Sequence, residues 1–456
     1  MQTATRDQES KKNALSAGHW QAKIGERRFQ DPLAFSYARI LLVATLLGAP
    51  LAFGAVVPWA WAALGLAAGL ALTLWAVGCV QQGVLELTWS PLYVPLALFF
   101  LLAAGQYAAG FTLEWSETRQ ALILLAEDLI FFFLAQQLFS GAGSGALRAF
   151  GVAVLSFAGA MGLFAILQFA AGTHRIYGIV GTPSGGLFGS YVNPDHFAGL
   201  MEMTVPVAIL YLAGHRKRAA LGTAALRVFA VTLAVASLML TGSRGGLLAV
   251  LAEVAIAAVV LRRARTQTFE ARRLAVGAAL ALLSGVMLFA YVGWGGAAQR
   301  LGSVGNVSKT WADWAGQRRS MTVDTLRMWR DHPLLGIGLG DFEIAYPLYQ
   351  SLPSDDYIEH AHDDYVEALA ETGLLGGLLI VWALAAFFYA AFRGWGQPFQ
   401  AQGNWTRLGA AIGCCGLLLH SLWDFNLHIP ANAAWFSVLA GIAAARQTSL
   451  TSQGAD

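Results

Sequence analysis

Apolar blocks of roughly 20 residues recur along the chain, and this is the length that an α-helix needs to cross a lipid bilayer. The 456 residues are 57% hydrophobic and 12% charged, and the mean hydropathy is +0.55. A soluble domain of this length does not need so much apolar surface. The sequence therefore predicts an all-α integral membrane protein with about twelve transmembrane helices. The predicted spans are 35–55, 58–79, 90–109, 118–139, 147–171, 195–213, 221–241, 244–262, 273–294, 363–392, 406–424 and 430–446.

Basic residues set the predicted orientation of these spans. The tail 1–33 and the loops 215–218 and 262–273 are rich in lysine and arginine, which accumulate on the cytoplasmic side of a membrane. With twelve spans, all three segments fall on that side, as does the C-terminal tail 447–456. The first apolar block has no obvious cleavage site, so we interpret it as a retained helix and not as a signal peptide.

The opposite face, which is periplasmic in a bacterial inner membrane, receives four polar elements. They are the loop 173–194, the turn 241–246, the long loop 295–362 and the turn 424–430. A connection as long as 295–362 is usually functional. The predicted organisation is a cytoplasmic tail (1–33), N-terminal transmembrane helices (34–172), a core with the periplasmic loop (173–392), the last two transmembrane helices (393–446) and a second cytoplasmic tail (447–456).

The long loop contains a predicted helix and a glycine-rich turn. Residues 317–332 have an apolar side that includes Met321 and Met328, and cationic groups that include Arg318 and Arg319. Such a helix either lies at the membrane interface near anionic head groups or packs, solvated, on the helix bundle. The run 336–340 is predicted to be a tight turn, because no strand precedes it as a dinucleotide-binding loop requires.

The densest group of ionisable residues begins at His360 and runs directly into an apolar helix. His362 is suited to act as a general base on a hydroxyl, because an imidazole titrates near ambient pH. Alternatively, the histidines only hydrate the helix end, with Asp363 or Asp364 as N-cap. Glu367 and Glu371, one turn apart, either orient a catalytic group or line a polar seam between helices. A metal site on the two histidines would need a third ligand, from His174, His196, His420 or His428, and we predict none.

Two arginines on the same predicted face are candidate phosphate ligands. Arg244 lies in a tight, glycine-flanked turn between two apolar blocks, where a guanidinium can bind two phosphate oxygens. The alternative for Arg244 is contact with lipid head groups. Arg175 precedes a predicted helix that starts near Asn193, and the N-terminus of such a helix attracts anions. The alternative for Arg175 is that it is an ordinary loop arginine. Together with a base and membrane helices, these groups suit a lipid-linked pyrophosphate donor.

Four motifs together resemble the O-antigen ligase and polymerase superfamily over about residues 150–390. They are Gly-Leu-Phe-Gly-Ser-Tyr-Val-Asn-Pro-Asp-His-Phe-Ala (186–198), Ser-Arg-Gly (243–245), Trp-Arg-Asp-His-Pro-Leu-Leu-Gly-Ile-Gly-Leu-Gly-Asp-Phe (329–342), and His-Ala-His-Asp-Asp-Tyr (360–365) with Glu-Thr-Gly (371–373). The closing His-Ser-Leu-Trp-Asp-Phe-Asn-Leu-His-Ile-Pro (420–430) is similar to relatives from exopolysaccharide clusters.

The resemblance implies an inverting glycosyltransferase of the membrane-embedded C class that needs neither a metal nor a cofactor. It would move a glycan from undecaprenyl pyrophosphate to an acceptor hydroxyl, such as one on lipid A–core, at the periplasmic face. His362 matches the essential histidine and Arg244 the pyrophosphate-binding arginine, while Asp363 stands where relatives often have asparagine. The candidates for further substrate contacts are Arg175, Asn193, His196, Arg318, Arg319, His360 and Tyr365.

Two other functions compete with this interpretation. A polymerase of the same superfamily would join lipid-linked repeats and differs only in its acceptor. A twelve-span transporter would carry polar groups near the bilayer midplane and repeated halves, and Glu127, Asp128 and Glu253 are such groups. The strongest ionisable clusters nevertheless fall on one face, which favours the enzyme. No feature of the sequence indicates a nucleic-acid partner.

Overall fold

The computed structural model describes residues 32–140, 144–173, 175–181, 187–214, 221–263, 304–352, 357–393 and 403–445. Within these ranges the chain is helical, and its β-pairing is limited to two isolated bridges, Ile176 with Val180 and Phe188 with Tyr191. The all-α prediction is confirmed for this part of the chain. Outside the described residues lie His174, the basic loop 215–218, most of the loop 262–273, the predicted span 273–294, and nearly all of both predicted tails.

The described part contains thirteen α-helices. In chain order they are α1 Leu33–Gly48, α2 Pro58–Gln82, α3 Tyr93–Ala109, α4 Trp115–Phe139, α5 Ser144–Ala170, α6 Pro194–Gly214, α7 Leu221–Leu240, α8 Arg244–Arg263, α9 Val304–Asp331, α10 Phe342–Ala345, α11 Asp364–Phe392, α12 Gly403–His420 and α13 Pro430–Ala444. Eight of the described helices are long and apolar enough to cross a membrane, and α3 and α13 are shorter apolar helices.

Each predicted span within the described ranges coincides with one of these helices. The predicted span 35–55 runs past the end of α1 at Gly48, and the predicted span 406–424 runs past the end of α12 at His420. That earlier end leaves Asp424 in the turn between α12 and α13. The total of twelve spans, the orientation, the domain boundaries and the periplasmic location of the long loop remain predictions.

Helices α6 and α12 form the most extensive helix pair. A Cβ atom added at Gly409 would lie 2.6 Å from Val207 Cα, and one added at Gly413 would lie 2.6 Å from the Met203 carbonyl oxygen. Small residues permit such close backbone approach between helices in membranes. These two contacts make the helices antiparallel, so the beginning of α6 and the end of α12 lie at the same end of the bundle.

The loop after α9 is hydrogen-bonded to an interruption of α11. The amides of Ile337 and Gly338 donate to the carbonyls of Ala370 and Glu371 over 3.1 and 3.0 Å, and the Leu374 amide donates to the Pro333 carbonyl over 2.8 Å. The predicted tight turn at 336–340 is confirmed, since Gly336, Gly338 and Gly340 all have positive φ. The loop is thereby fixed against the helix that follows the histidine cluster.

Helix α9 is longer than predicted, because it starts at Val304 instead of near residue 317. Its Met321 and Met328 are buried in one apolar cluster with Ile337 and Phe342. The methionine side of α9 therefore packs on the protein. This agrees with the second alternative given for this helix, in which it packs on the helix bundle. This packing brings Arg318 towards the histidine cluster.

Substitution of Gly373 is expected to destabilise the fold. Its φ of +66° and ψ of −167° interrupt α11, and this region is populated almost only by glycine, at a cost of about 1–3 kcal/mol for other residues. A Cβ there would also overlap the Leu334 carbonyl. We expect Gly373→Ala to lower the thermal unfolding midpoint in detergent. Gly105→Ala is the control, because nothing lies within 4 Å of its added Cβ; equal midpoints for the two variants would contradict the prediction.

Candidate active site

His362 lies two residues before the start of α11 at Asp364. Its φ is +53°, a left-handed conformation that is uncommon for residues other than glycine. The following residue, Asp363, caps α11 by accepting hydrogen bonds from the amides of Tyr365 and Val366, as an N-cap aspartate does. The capped helix start holds the imidazole of His362 against the turn that follows α12, where its Nδ1 atom lies 3.2 Å from Asp424 Oδ1.

Asp424 is a buried carboxylate surrounded by three histidines. Its side chain is 1% exposed, and its Oδ2 atom lies 3.8 Å from His196 Nε2 and 4.0 Å from His420 Nε2. Burial raises the pKa of Asp424, but the hydrogen bond with His362 and the charges of His196 and His420 outweigh burial and hold that pKa well below its usual range. Asp424 is therefore an anion at neutral pH. Its hydrogen bond with His362 then places the proton on Nδ1 and leaves Nε2 to accept one.

The turn that carries Asp424 is fastened to the start of α11. The Asp364 amide donates to the Ser421 carbonyl over 3.0 Å. Phe425 packs among the histidines, with its ring centroid 4.6 Å from that of His196, 4.9 Å from that of His362 and 4.4 Å from that of His360. These contacts explain how residues about sixty positions apart in the sequence form one site.

A second group of ionisable residues adjoins the first through His360, which packs on Phe425. His360 Nδ1 is 2.7 Å from Glu367 Oε1, and His428 Nδ1 is 2.8 Å from Asp364 Oδ1. Burial lowers the pKa of His428, but Glu367 and Asp364 outweigh burial and raise it to about 10. Glu367 thus orients His360. Glu371 instead accepts the Phe342 amide over 3.1 Å, so only one of the two glutamates reaches a histidine.

One group within the described ranges could hold a metal ion, and it consists of His360, Glu367 and His428. Each of these residues offers one ligand atom, and the three atoms lie within 4.8 Å of one another. Two histidines and a glutamate are a familiar zinc ligand set. His428 was one of the residues considered as a third ligand, but His362 is not part of the group. In this structure His360 and Glu367 are at hydrogen-bonding distance, directly paired with each other.

The cationic side of the site is built at the start of α8. Ser243 Oγ accepts a hydrogen bond from the Gly246 amide over 3.1 Å and so caps the helix. Arg244 is the first residue of α8, and its side chain is exposed. A Cβ at Gly245 would overlap the His420 ring, so the turn lies directly on the histidine. Burial lowers the pKa of Arg318, an effect opposed by Asp424 and Asp195 and increased by Arg244. Both guanidinium groups therefore lie within electrostatic range of the same acidic site.

The other predicted site residues occupy different positions. Asn193 Oδ1 accepts the Asp195 amide over 2.8 Å and caps α6, as predicted, and His196 lies in the first turn beside Asp424. The Tyr365 hydroxyl donates to the Leu418 carbonyl over 2.7 Å and fastens α11 to α12. Arg175 and Arg319 are exposed, and no described residue forms an ion pair with either. Their roles in substrate binding remain predictions.

Sequence reasoning missed the residues that join these elements. The sequence places Asp424 in a polar turn without a predicted role, and it offers His420 only as a possible metal ligand. Glu202, in the middle of an apolar helix, drew no attention; its Oε1 lies 2.9 Å from His420 Nδ1. One signal was available, because His420 and Asp424 are four residues apart across a helix end, a spacing that brings side chains together.

Comparison with known families gave one match, in the central segment of the chain. Residues 229–381 match the family model described as O-antigen ligase. This segment, about a third of the chain, is similar to the O-antigen ligase family. It contains Arg244, Arg318, His360 and His362, whereas Asp424, His420 and Glu202 lie outside the match. Comparison with curated proteins gave no match.

Similarity of this segment to the O-antigen ligase family suggests a glycosyltransferase-like membrane enzyme of polysaccharide biosynthesis with lipid-linked glycan substrates. The apolar helices agree with a multi-pass membrane protein. The matched segment is narrower than the range 150–390 over which the sequence motifs resemble the superfamily. The helix start at Asn193 and the turn at Asp424 are therefore parts of the site that the rest of the chain supplies.

Proposed function

We propose that the protein is an inverting, metal-independent glycosyltransferase that moves a glycan from undecaprenyl pyrophosphate to an acceptor hydroxyl on lipid A–core. The reaction would take place at the periplasmic face of a bacterial inner membrane. The observation that carries the proposal is the 3.2 Å contact between His362 Nδ1 and Asp424 Oδ1. It prepares Nε2 as a base beside the cationic start of α8.

The proposed reaction begins when His362 Nε2 accepts the proton of the acceptor hydroxyl. The hydroxyl oxygen forms a bond to the anomeric carbon of the donor while the bond from that carbon to the pyrophosphate oxygen breaks. Attack opposite the leaving group inverts the configuration. Asp424 stabilises the imidazolium that forms, as the carboxylate of a catalytic triad does.

The leaving pyrophosphate keeps the electron pair of the broken bond, so its negative charge grows during the reaction. Arg244 and Arg318 are the groups that would stabilise it, and such preorganised electrostatic stabilisation is usually the largest contribution to catalysis. Charge stabilisation by guanidinium groups makes a metal ion unnecessary at this step. Binding of the pyrophosphate would also hold the anomeric carbon next to His362.

A cavity near the site supports a lipid-linked substrate. It has a volume of about 370 Å³ and is lined mainly by apolar side chains of α2, α3, α4, α11 and α13. Its ionisable lining residues are Glu127, Asp128, Asp364, Tyr365, Glu371 and His428. A mainly apolar cavity with a few polar groups is the kind of site that takes an amphiphilic ligand.

Polymerisation of lipid-linked repeats is the second candidate function. The segment 420–430, which carries Asp424 and His428, resembles exopolysaccharide relatives, and it completes the histidine cluster. The donor and the base would be the same in both reactions. The acceptor alone would differ.

The test is transfer by purified protein from undecaprenyl-pyrophosphate glycan without nucleotide, measured in the presence and in the absence of a metal chelator. One reaction contains lipid A–core and a second contains only the lipid-linked donor. We expect glycosylated lipid A–core in the first reaction. Elongated lipid-linked glycan in the second would establish the polymerase instead, and absence of product from both would overturn the proposed function. Activity that the chelator abolishes would contradict metal independence.

A further inference from the structure

Among the described residues, a buried ion pair has no role in the proposed mechanism. His420, the last residue of α12, contacts Glu202 of α6, with Nδ1 2.9 Å from Oε1 and 3.2 Å from Oε2. The two side chains are 2% and 0% exposed. A buried pair of this kind is expensive to desolvate and is a weak contribution to stability compared with apolar packing. Its presence therefore calls for a role in the site.

The other nitrogen of His420 faces a second carboxylate. Its Nε2 lies 4.0 Å from Asp424 Oδ2, while Asp424 Oδ1 is bonded to His362. A neutral imidazole has only one N–H, whereas the imidazolium presents an N–H on both nitrogens. Two carboxylates on opposite sides of the ring thus favour the cation. The order of contacts is Glu202, His420, Asp424, His362.

The start of α8 rests on the same pair. A Cβ at Gly246 would lie 2.8 Å from Glu202 Oε1, and one at Gly245 would overlap the His420 ring. Glu202 therefore lies at the N-terminal end of α8, where a negative charge is favourable. The pair contacts the turn that holds Arg244 on one side and the partner of His362 on the other.

We propose that His420 and Glu202 form a positioning pair. The pair fixes the position of Asp424, and through Asp424 that of the base His362, relative to the turn that carries Arg244. The inference rests on the proposed function and extends it to residues outside the segment matched by the family model. Neither residue touches the reacting atoms. Their effect on transfer is exerted through Asp424 and the start of α8.

The pair also has an electrostatic consequence that a purely structural role would lack. A cation next to Asp424 disfavours protonation of the base beyond it, and the transfer rate requires the unprotonated base. His420→Gln removes this cation, and Glu202→Gln removes the carboxylate that favours it. Either substitution therefore makes protonation of the base easier and moves the acid limb of the rate–pH profile to higher pH. At the distances involved the shift is on the order of one pH unit.

Other ionisable groups around the pair stay unchanged in the experiment. Asp195 on α6 acts on His420, Glu253 on α8 acts on Glu202, and His196 faces Asp424 from its other side. Arg318 of α9 acts on Asp424 as well. Because these groups are common to all variants, a difference between variants reports the pair itself.

The experiment measures kcat against pH for the wild type, Glu202→Gln, His420→Gln and the paired Glu202→Gln/His420→Gln variant. Each substitution is expected to lower kcat about 10- to 100-fold, the scale of a small misplacement of catalytic groups, and to move the acid limb to higher pH. The paired variant is expected to resemble the single ones, since the two residues act as a unit. Thr204→Val is the control, because Thr204 is buried on α6 and bonds within its own helix, to Leu200.

The outcomes separate the two proposals. A wild type that transfers nothing to either acceptor overturns the proposed function, and this inference with it. An active wild type whose variants keep its pH profile, at any kcat, overturns the positioning role alone. The paired variant replaces the ion pair with two amides of similar size. Where a single variant does not accumulate, the pH profile of the paired variant tests the positioning role.

Discussion

Replacement of His362 by alanine is expected to lower glycan transfer by about 10²–10⁴-fold, the range that a positioned general base contributes. The reason is the loss of the only described imidazole that both contacts Asp424 Oδ1 and is substantially exposed, with 27% of its side chain accessible. His196 and His420 face the same carboxylate but are almost completely buried. The measurement is the initial rate of transfer by purified protein at saturating donor.

The matched control is His332→Ala, since His332 is exposed at the end of α9 and lies outside the histidine cluster. It is expected to transfer at the wild-type rate. Equal unfolding midpoints for the two variants would separate loss of the base from loss of the fold. A His362→Ala protein that transfers as fast as the control would remove His362 from the mechanism.

Much of the architecture could be predicted from the sequence because bilayer-length apolar runs leave little choice of secondary structure. The starts of α6 and α8 were also predictable, since Asn193 and Ser243 are capping residues directly before apolar helices. Local chemistry determined these features. The start of α9 was missed because residues 304–316 carry no strong apolar periodicity.

The partners within the site could not be predicted, because they depend on tertiary contacts. Asp424 contacts His362 because α12 ends at His420 and the following turn is hydrogen-bonded to the start of α11. The sequence predicts the polar turn 424–430, but it does not predict that this turn lies against the start of α11. Glu202 could not be paired with His420 without the antiparallel packing of α6 on α12, which glycines at 409 and 413 permit.

Replacement of Arg244 by alanine is expected to lower kcat by about 100- to 1,000-fold, the cost of removing one group that stabilises developing negative charge. Arg244 is the first residue of α8, so a pyrophosphate bound to its guanidinium would also meet the positive end of the helix. Arg244→Lys is expected to recover only part of the rate, because an ammonium keeps the charge but loses the two-pronged geometry.

Product inhibition gives this prediction a second readout. Added inorganic pyrophosphate is expected to inhibit the wild type more strongly than Arg244→Ala, since the variant lacks one of its ligands. Arg330→Ala is the control, because Arg330 is an exposed arginine at the far end of α9. If Arg244→Ala retains both the wild-type kcat and the wild-type inhibition by pyrophosphate, Arg244 contacts only lipid head groups, and the leaving group must be stabilised from the Arg318 side of the site.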